Sequence, residues 1–184
     1  MNWEKLSGQR STRLVFQSNG SGYLMRKIRN PFIDLKEYTC FGCSPDNPKG
    51  LQMTFSEDGD EIVSYWTPQP QFSGFHRVLH GGIQATLMDE IASWVIYVKL
   101  MTAGVTSRVE LKYSKTVYTN KGTLQLRARV LQVRRNLADI TVRLMDAEGQ
   151  LCTEGFFTFF TFHQKKAKEK LYLPDHSEFF EKDG

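Results

Sequence analysis

The sequence has few cysteines and no long apolar run, and both shortages exclude classes of protein. Three cysteines among 184 residues are too few, and odd in number, for a disulfide-stabilised secreted domain. The longest apolar stretch, residues 91–98, is far shorter than the roughly 20 residues that a membrane-spanning helix needs. The apolar cluster at 14–16 is too short for the core of a signal peptide. We therefore expect a soluble, cytoplasmic protein with no membrane partner.

Two of the cysteines, Cys40 and Cys43, have the spacing of half a zinc site. A structural zinc ion needs about four ligands, and neither a second Cys-x-x-Cys pair nor a Cys-x-x-His pair follows. We therefore interpret the two residues as small, half-buried thiols in a turn-rich segment. The sequence predicts no metal site.

The excess of positive charge is modest, with a net charge of +4. Such an excess suits a polyanionic small ligand such as a nucleotide-bearing coenzyme. Nucleic-acid binding would require basic residues concentrated among stacking aromatic residues, whereas the densest basic clusters lie near the ends, at 26–29 and 165–170. We expect a small-molecule partner and no nucleic acid.

Hydrophobic periodicity predicts one long helix between two groups of strands. Helical spacing from Gly82 to about Leu100 gives an apolar stripe of Leu87, Ile91, Trp94, Val95 and Val98. Alternation with a period of two predicts strands over 51–55 and 62–66 before the helix, and over 108–113, 124–130, 140–144 and 152–162 after it. Short connections between the last four imply an antiparallel meander.

The remaining segments complete the predicted organisation. Apolar residues at helix-like intervals predict a short helix over 28–38, and Pro68 and Pro70 exclude regular structure from 67–79. We divide the chain into an N-terminal extension (1–38), one domain (39–163) and a charged C-terminal tail (164–184). An amphipathic sheet needs a cover for its apolar face, and the nearly all-apolar helix supplies one. The sequence therefore predicts an α+β fold, a curved antiparallel sheet wrapped around one central helix.

The start of the long helix carries a specific motif. Residues 79–90 read Leu-His-Gly-Gly-Ile-Gln-Ala-Thr-Leu-Met-Asp-Glu, which resembles the HGG-x6-D(E) signature of the phenylacetate-type branch of the hot-dog thioesterases. The stretches at 40–51 and 113–117 are similar to further segments of that family. The resemblance covers about 40–162 and implies a hot-dog fold. It also implies an acyl-CoA thioesterase that forms homodimers or dimers of dimers. Coenzyme A would be part of the substrate, and no separate cofactor is expected.

The glycine pair suggests where a thioester carbonyl would bind. Gly81 and Gly82 permit a close approach of the ligand to the backbone. The first amides of a helix lack intrahelical acceptors, and the helix dipole makes that end positive. We predict that Gly82 N–H stabilises the oxyanion and that Gly81 contacts the ligand. The alternative is a plain tight turn before a helix.

Asp89 is the predicted catalytic carboxylate. Its neighbours one turn away are all small (Ala85, Thr86, Ala92 and Ser93), which leaves room for a ligand or a second subunit. By the resemblance, Asp89 acts as a general base on water or as a nucleophile that forms an acyl-enzyme anhydride. Glu90 lies about 100° around the helix, and the motif spacing assigns the role to Asp89. An exposed aspartate on a solvated face is the alternative.

The resemblance assigns supporting roles to further residues. His80 would position the loop, and Thr106 would orient the attacking water from across a dimer interface. Relatives often carry Asn or Gln six or seven residues before this histidine, where this chain has Gly74 and Ser73. Either Ser73 or His76 substitutes for the amide, or activity is reduced.

Three basic residues are candidate contacts for the phosphates of coenzyme A, because Lys and Arg bind phosphate well. They are Lys115, Arg134 and Arg135. A solvated turn is the alternative explanation for each.

Two other functions compete with hydrolysis. A hot-dog module that binds acyl-CoA without turnover would have little use for an acid facing a thioester. A dehydratase or hydratase on the same fold pairs a histidine in a proline-bearing loop with the helix acid, and this pattern is missing from the sequence.

Overall fold

The structure is a computed structural model that describes residues 25–180. Its strands are β1 (Arg26–Ile28), β2 (Phe55–Asp58), β3 (Glu61–Trp66), β4 (Ser73–Phe75), β5 (Val78–Leu79), β6 (Gly104–Tyr113), β7 (Leu124–Arg134), β8 (Leu137–Met145) and β9 (Leu151–Thr161). Its α-helices are α1 (Gly81–Lys99) and α2 (Gln164–Leu171). Within this part of the chain, no helix is long and apolar enough to cross a membrane.

Seven strands form one sheet in the order β1-β2-β3-β7-β8-β9-β6, with every neighbouring pair antiparallel. Strands β4 and β5 form a separate hairpin before α1. The prediction that 67–79 lacks regular structure is therefore wrong, because both prolines precede the hairpin. Helix α1 packs against five strands of the large sheet (β3, β6, β7, β8 and β9). The predicted α+β hot-dog architecture, a curved antiparallel sheet around one long helix, is confirmed.

Helix α1 forms the centre of the core because its side chains are apolar on most of its circumference. All five residues of the predicted stripe are buried. Full burial of such side chains contributes about 1.5–3 kcal/mol each. The buried polar exception is Gln84, whose Oε1 accepts a hydrogen bond from Thr153 Oγ1 at 2.7 Å. The helix is therefore fixed to the sheet by packing, and this buried contact joins it to β9.

The predicted helix over 28–38 is wrong. Ile28 ends β1, and a single 3₁₀ turn, Pro31–Asp34, follows it. Asn30 caps this turn by accepting a hydrogen bond from the Phe32 amide at 3.1 Å. The helix-like spacing of apolar residues arises because Ile28 and Phe32 are both buried, one from the strand and one from the turn.

Alternation also misplaced the first strand of the predicted domain. Leu51 and Met53 are buried as predicted, but the strand begins only at Phe55. The preceding segment is held by a loop instead, since the Leu51 amide donates to the Phe41 carbonyl at 2.7 Å and the Met53 amide donates to the Gly42 carbonyl at 2.9 Å. An extended segment on a loop shows the same alternation as a strand in a sheet.

The predicted meander holds for three of its four strands. β7, β8 and β9 are consecutive neighbours, but β6 pairs with β9 at the edge of the sheet, and β7 pairs with β3. The segment 114–123 connects β6 to β7, which lie three places apart in the sheet. Periodicity reports which face of a strand is buried and does not encode its neighbour.

Residues on both sides of the predicted domain also join the structure. The Arg29 amide donates to the Phe179 carbonyl at 2.9 Å, and Phe179 packs edge-on against Trp94 of α1. Ala167 of α2 is fully buried. The core therefore takes side chains from the segments expected to be extension and tail, and residues 1–24 of that extension lie outside the described part.

Candidate active site

His80 caps the N-terminus of α1 with both its side chain and its backbone. Its Nδ1 accepts a hydrogen bond from the Gly82 amide at 2.9 Å. Its carbonyl accepts from the amides of Ile83 and Gln84 at 3.0 and 3.1 Å. Because Nδ1 is the acceptor, a neutral imidazole carries its proton on Nε2. Gly81 N–H donates to no acceptor within residues 25–180, which leaves this amide available to a ligand.

A close contact favours glycine at Gly82, and the backbone there is not unusual. In the described structure the glycines with positive φ are Gly59, Gly122 and Gly149, so neither Gly81 nor Gly82 is among them. A Cβ on Gly82 would lie 3.1 Å from His80 Nδ1. Gly82 N–H, predicted to be the oxyanion donor, is thus occupied by the ring of His80, and the free donor is one residue earlier.

Tyr113 covers the same end of the helix, a position that sequence patterns did not predict. Its hydroxyl donates to the Gly81 carbonyl at 2.9 Å. A Cβ on Gly81 would lie 3.7 Å from the Tyr113 ring, an ordinary contact. Burial raises the pKa of the Tyr113 hydroxyl, so it acts as a neutral donor at physiological pH.

Asp89 lies two turns along α1 and contacts β6. Its Oδ1 accepts a hydrogen bond from Thr106 Oγ1 at 2.8 Å. Burial raises the pKa of the Asp89 carboxyl, and the hydrogen bond from Thr106 opposes that rise. The resemblance implied a Thr106 from across a dimer interface, whereas the structure shows the contact within one chain.

The helix face around Asp89 is lined by short hydroxyl side chains that bond back to the helix. Thr86 Oγ1 donates to the Gly82 carbonyl at 2.9 Å, and Ser93 Oγ donates to the Asp89 carbonyl at 3.1 Å. Both hydroxyls are thereby satisfied without projecting over the carboxylate. Ala92, expected on this face, is fully buried in the core. The exposed part of this helix face therefore lies on the side of Asp89 away from Ala92.

Glu90 is directed to a different part of the molecule. Its Oε1 accepts a hydrogen bond from Trp94 Nε1 at 3.1 Å, and both carboxylate oxygens lie 3.7 Å from Cys40 Sγ. Burial, followed by the charge on Cys40, raises the pKa of Glu90 to about 7. Adjacent carboxylates on one helix thus face separate environments, consistent with the role assigned to Asp89.

Cys40 and Cys43 form a thiol pair beside Glu90. Their sulfur atoms are 3.5 Å apart, and the Tyr38 hydroxyl lies 2.9 Å from Cys43 Sγ. A hydrogen bond from the Cys43 thiol lowers the pKa of Cys40 to about 5. The same hydrogen bond, together with burial, raises the pKa of Cys43. Cys43 is therefore the donor in this contact and Cys40 the acceptor. Sequence spacing gave no sign that Glu90 would join them.

The position of the missing amide is filled by the β4–β5 hairpin. Ser73 Oγ pairs with Thr119 Oγ1 at 3.4 Å. A Cβ on Gly74 would lie 3.0 Å from His80 Cδ2, so this residue packs directly on the His80 ring. Glycine at 74 therefore allows the hairpin to press against the helix cap, and the hydroxyl of Ser73 is engaged elsewhere.

The candidate phosphate contacts lie at two ends of β9. Lys115 Nζ contacts the Gln150 side chain, and its amide donates to the Cys152 carbonyl at 3.1 Å. Arg134 forms an ion pair with Asp139 at 2.7 Å. This pair lies near the end of β8 that is opposite Phe160 of β9, and Arg135 lies in the turn that follows β7. Eight residues of extended strand separate the two levels by roughly 26 Å. Within one chain these residues cannot hold the same phosphate.

Comparison with known proteins finds one family model that matches part of the chain. Residues 76–153, from the hairpin through α1 to the start of β9, match the model of the Thioesterase superfamily. No curated protein sequence matches the chain.

Solved structures share the fold at low identity. A thioesterase superfamily protein, RHA08564, is 20% identical with a TM-score of 0.58; the match covers 63% of this chain and only 57% of that one. A hypothetical thioesterase from Streptococcus pneumoniae TIGR4, solved with coenzyme A, is 23% identical with a TM-score of 0.54, covering 57% of this chain and 83% of that one. Zebra fish Thioesterase Superfamily Member 2 is 26% identical with a TM-score of 0.55, covering 62% and 88%. The chain therefore has the hot-dog fold, and its residues 76–153 match the Thioesterase superfamily model.

Proposed function

We propose that this protein is an acyl-CoA thioesterase of the phenylacetate type, which hydrolyses a coenzyme-A thioester to a free acid and coenzyme A. The observation that carries the proposal is the pair of Asp89 and Thr106, joined at 2.8 Å on an open helix face. A half-buried carboxylate with a raised pKa is suited to accept a proton near neutral pH. The coenzyme A bound in the pneumococcal structure supports this substrate class.

A complete site needs two chains. Gly81 and Asp89 lie eight residues apart on α1, which is roughly 12 Å of helical rise. A carbonyl bound at the Gly81 amide is therefore out of reach of the Asp89 carboxylate in the same chain. Two antiparallel copies of α1 would place the Gly81 amide of each chain near Asp89 of the other. We propose that the chain forms a homodimer, and that two such dimers can associate as a tetramer.

The proposed chemistry uses groups already in place. The Asp89 carboxylate takes a proton from water, and the resulting hydroxide attacks the thioester carbonyl. The second chain's Gly81 N–H stabilises the oxyanion, and loss of such a donor typically costs about 2.7–4 kcal/mol of transition-state stabilisation. The carbon–sulfur bond then breaks and coenzyme A leaves as the thiolate. In the alternative route Asp89 attacks the carbonyl itself, and water hydrolyses the resulting anhydride.

The position of each basic residue decides the role that we propose for it in binding phosphate. Lys115 follows Tyr113 by two residues and so lies on the Gly81 side of the site. Arg134 is paired with a buried carboxylate. We propose Lys115 as the contact for coenzyme-A phosphate in the chain that supplies Gly81, with Arg134 and Arg135 available from the other end of the sheet.

One observation favours a second function, acyl-CoA binding without turnover. Ser73 is bonded to Thr119 and Gly74 is packed on His80, so neither supplies the amide that relatives often carry. A thiol-release assay with a panel of acyl-CoAs, combined with calorimetric titration of the same compounds, separates the two functions. Release that depends on Asp89 supports hydrolysis, whereas tight binding with no release supports the binding module.

A further inference from the structure

The side chains of Cys40, Cys43 and Glu90 form a cluster on the side of α1 that does not face Thr106. One donor atom from each residue lies within 4.8 Å of the other two. The cysteines come from the loop before β2, and Glu90 comes from α1, fifty residues later. The fold thus completes a cluster that the Cys-x-x-Cys spacing alone leaves with two ligands.

The separations between the donor atoms match those of a bound metal ion. The two sulfurs are 3.5 Å apart, and Cys40 Sγ is 3.7 Å from each carboxylate oxygen of Glu90. A tetrahedral ion about 2.3 Å from sulfur and about 2.0–2.2 Å from oxygen separates two sulfurs by roughly 3.8 Å, and a sulfur from an oxygen by roughly 3.5 Å. A disulfide would require about 2.05 Å.

The cavity beside the cluster brings no positively charged side chain, among the described residues, to the acidic groups of the cluster. The cluster opens on a cavity of about 290 Å³ that is otherwise lined mainly by apolar and aromatic side chains. Among the described residues, no lysine, arginine or histidine lines this cavity. A divalent cation would neutralise the carboxylate and the thiolates, and the cavity leaves room for a water molecule as the fourth ligand.

Two further contacts orient the ligands as outer-shell partners do in metal sites. Trp94 Nε1–H is bonded to Glu90 Oε1 at 3.1 Å, and the Tyr38 hydroxyl lies 2.9 Å from Cys43 Sγ. A Cβ on Gly42, between the two cysteines, would collide with the Glu90 carboxylate. Glycine at this position therefore lets the loop lie on Glu90 in the conformation that its side chain adopts here.

We propose that Cys40, Cys43 and Glu90 bind one Zn²⁺ ion, with the fourth position facing the cavity. Two thiolates favour zinc over magnesium or calcium, which prefer oxygen ligands. The ion would tie the loop before β2 to α1 at the residue next to Asp89. This site is separate from the proposed hydrolysis, and its test uses no activity measurement.

The test is metal analysis of the full chain, followed by cobalt titration of the protein after its metal has been removed with a chelator. We expect about one zinc per chain from mass spectrometry. Added Co²⁺ should give a thiolate charge-transfer band and the strong visible bands of a tetrahedral site. Cys40→Ser, Cys43→Ser and Glu90→Gln should each weaken binding by more than about tenfold, since even outer-shell changes cost 10–100-fold. Cys152→Ser, which changes a buried cysteine on β9, is the matched control and should bind normally.

Three results would overturn the proposal. One is wild-type protein, with its cysteines reduced, that binds neither Zn²⁺ nor Co²⁺ above the level of Cys40→Ser. The second is a Cys40–Cys43 disulfide in the isolated protein without metal. The third is unchanged Co²⁺ affinity and spectrum in Glu90→Gln. The titration of the unmutated protein keeps the test decisive if a variant fails to fold, which circular dichroism would reveal.

Discussion

At the scale of single residues, the proposed chemistry depends on two opposing effects on the pKa of one carboxylate, that of Asp89. Burial raises the pKa of Asp89, and the hydrogen bond from Thr106 lowers it. A base must be ionised to accept a proton, so the hydrogen bond keeps it usable while burial makes it more basic.

Asp89→Asn should lower kcat by about 10²–10⁴-fold, because the amide cannot accept the proton. The fold should survive, since the change is nearly isosteric and removes a half-buried charge. Thiol release from acyl-CoA measures the effect, with Asp60→Asn, at an exposed carboxylate, as the control. A folded Asp89→Asn protein with wild-type turnover would contradict the assignment and make Glu90 the candidate.

Thr106→Val should move the acidic limb of the kcat–pH profile to higher pH. The hydroxyl stabilises the ionised carboxylate, so its removal raises the pKa of Asp89, and a higher pH is needed to ionise it. Thr106→Ser keeps the hydroxyl and should retain the wild-type profile. Identical pH profiles for the valine and serine variants would show that the hydrogen bond does not tune Asp89.

The sequence predicted the place of Asp89 on the long helix but not the residues that contact it. The motif spacing and the small neighbours single out this residue, and its place on α1 agrees with them. The intrachain contact with Thr106 depends on how closely β6 approaches α1, which no local pattern encodes. The same holds for Glu90 and Cys40, which only the tertiary fold brings together.

At the scale of elements, the first turn of α1 is the part most sensitive to added atoms. Gly82→Val should lower activity per folded molecule, because its side chain would displace the His80 ring that caps the helix. The melting transition must be measured alongside, since the cap also stabilises the helix by about 0.5–2 kcal/mol. Full activity in the folded variant would show that the His80–Gly82 contact serves only the turn.

The length of an apolar repeat explains which elements could be predicted from the sequence. α1 was found because its apolar stripe, from Leu87 to Val98, repeats over about three turns, a long signal. The helix over 28–38 was wrong because the apolar residues at helix-like intervals there fit a strand followed by a turn equally well. Short segments take their conformation from the partner they pack on, here β2 and the aromatic side chains of α1.

At the scale of the whole molecule, β6 is an edge strand with exposed apolar side chains. It is ten residues long, and its exposed side chains include Val105, Val109 and Tyr113. Long apolar edge strands pair with other chains unless they are blocked. The homodimer predicted from sequence thus has a specific candidate surface.

Val109→Lys should shift the protein towards monomer and lower thioesterase activity with it, because a charge on this edge opposes pairing and the proposed site needs both chains. Val133→Lys is the control, at a valine of similar exposure on β7. Sedimentation velocity at micromolar concentration gives the oligomeric state. A wild-type protein that sediments as an active monomer would remove the two-chain site from the mechanism.

The contacts between the two ends of the described chain have a consequence for its connectivity. The Arg29 amide is bonded to the Phe179 carbonyl at 2.9 Å, and the Arg26 guanidinium lies 3.5 Å from the centre of the Phe180 ring. The backbone path is therefore nearly a closed circuit, and the core does not dictate where that circuit is cut. A circular permutant that joins residues 25 and 180 by a short linker, and is opened in the exposed turn at 146–149, should fold to the same sheet.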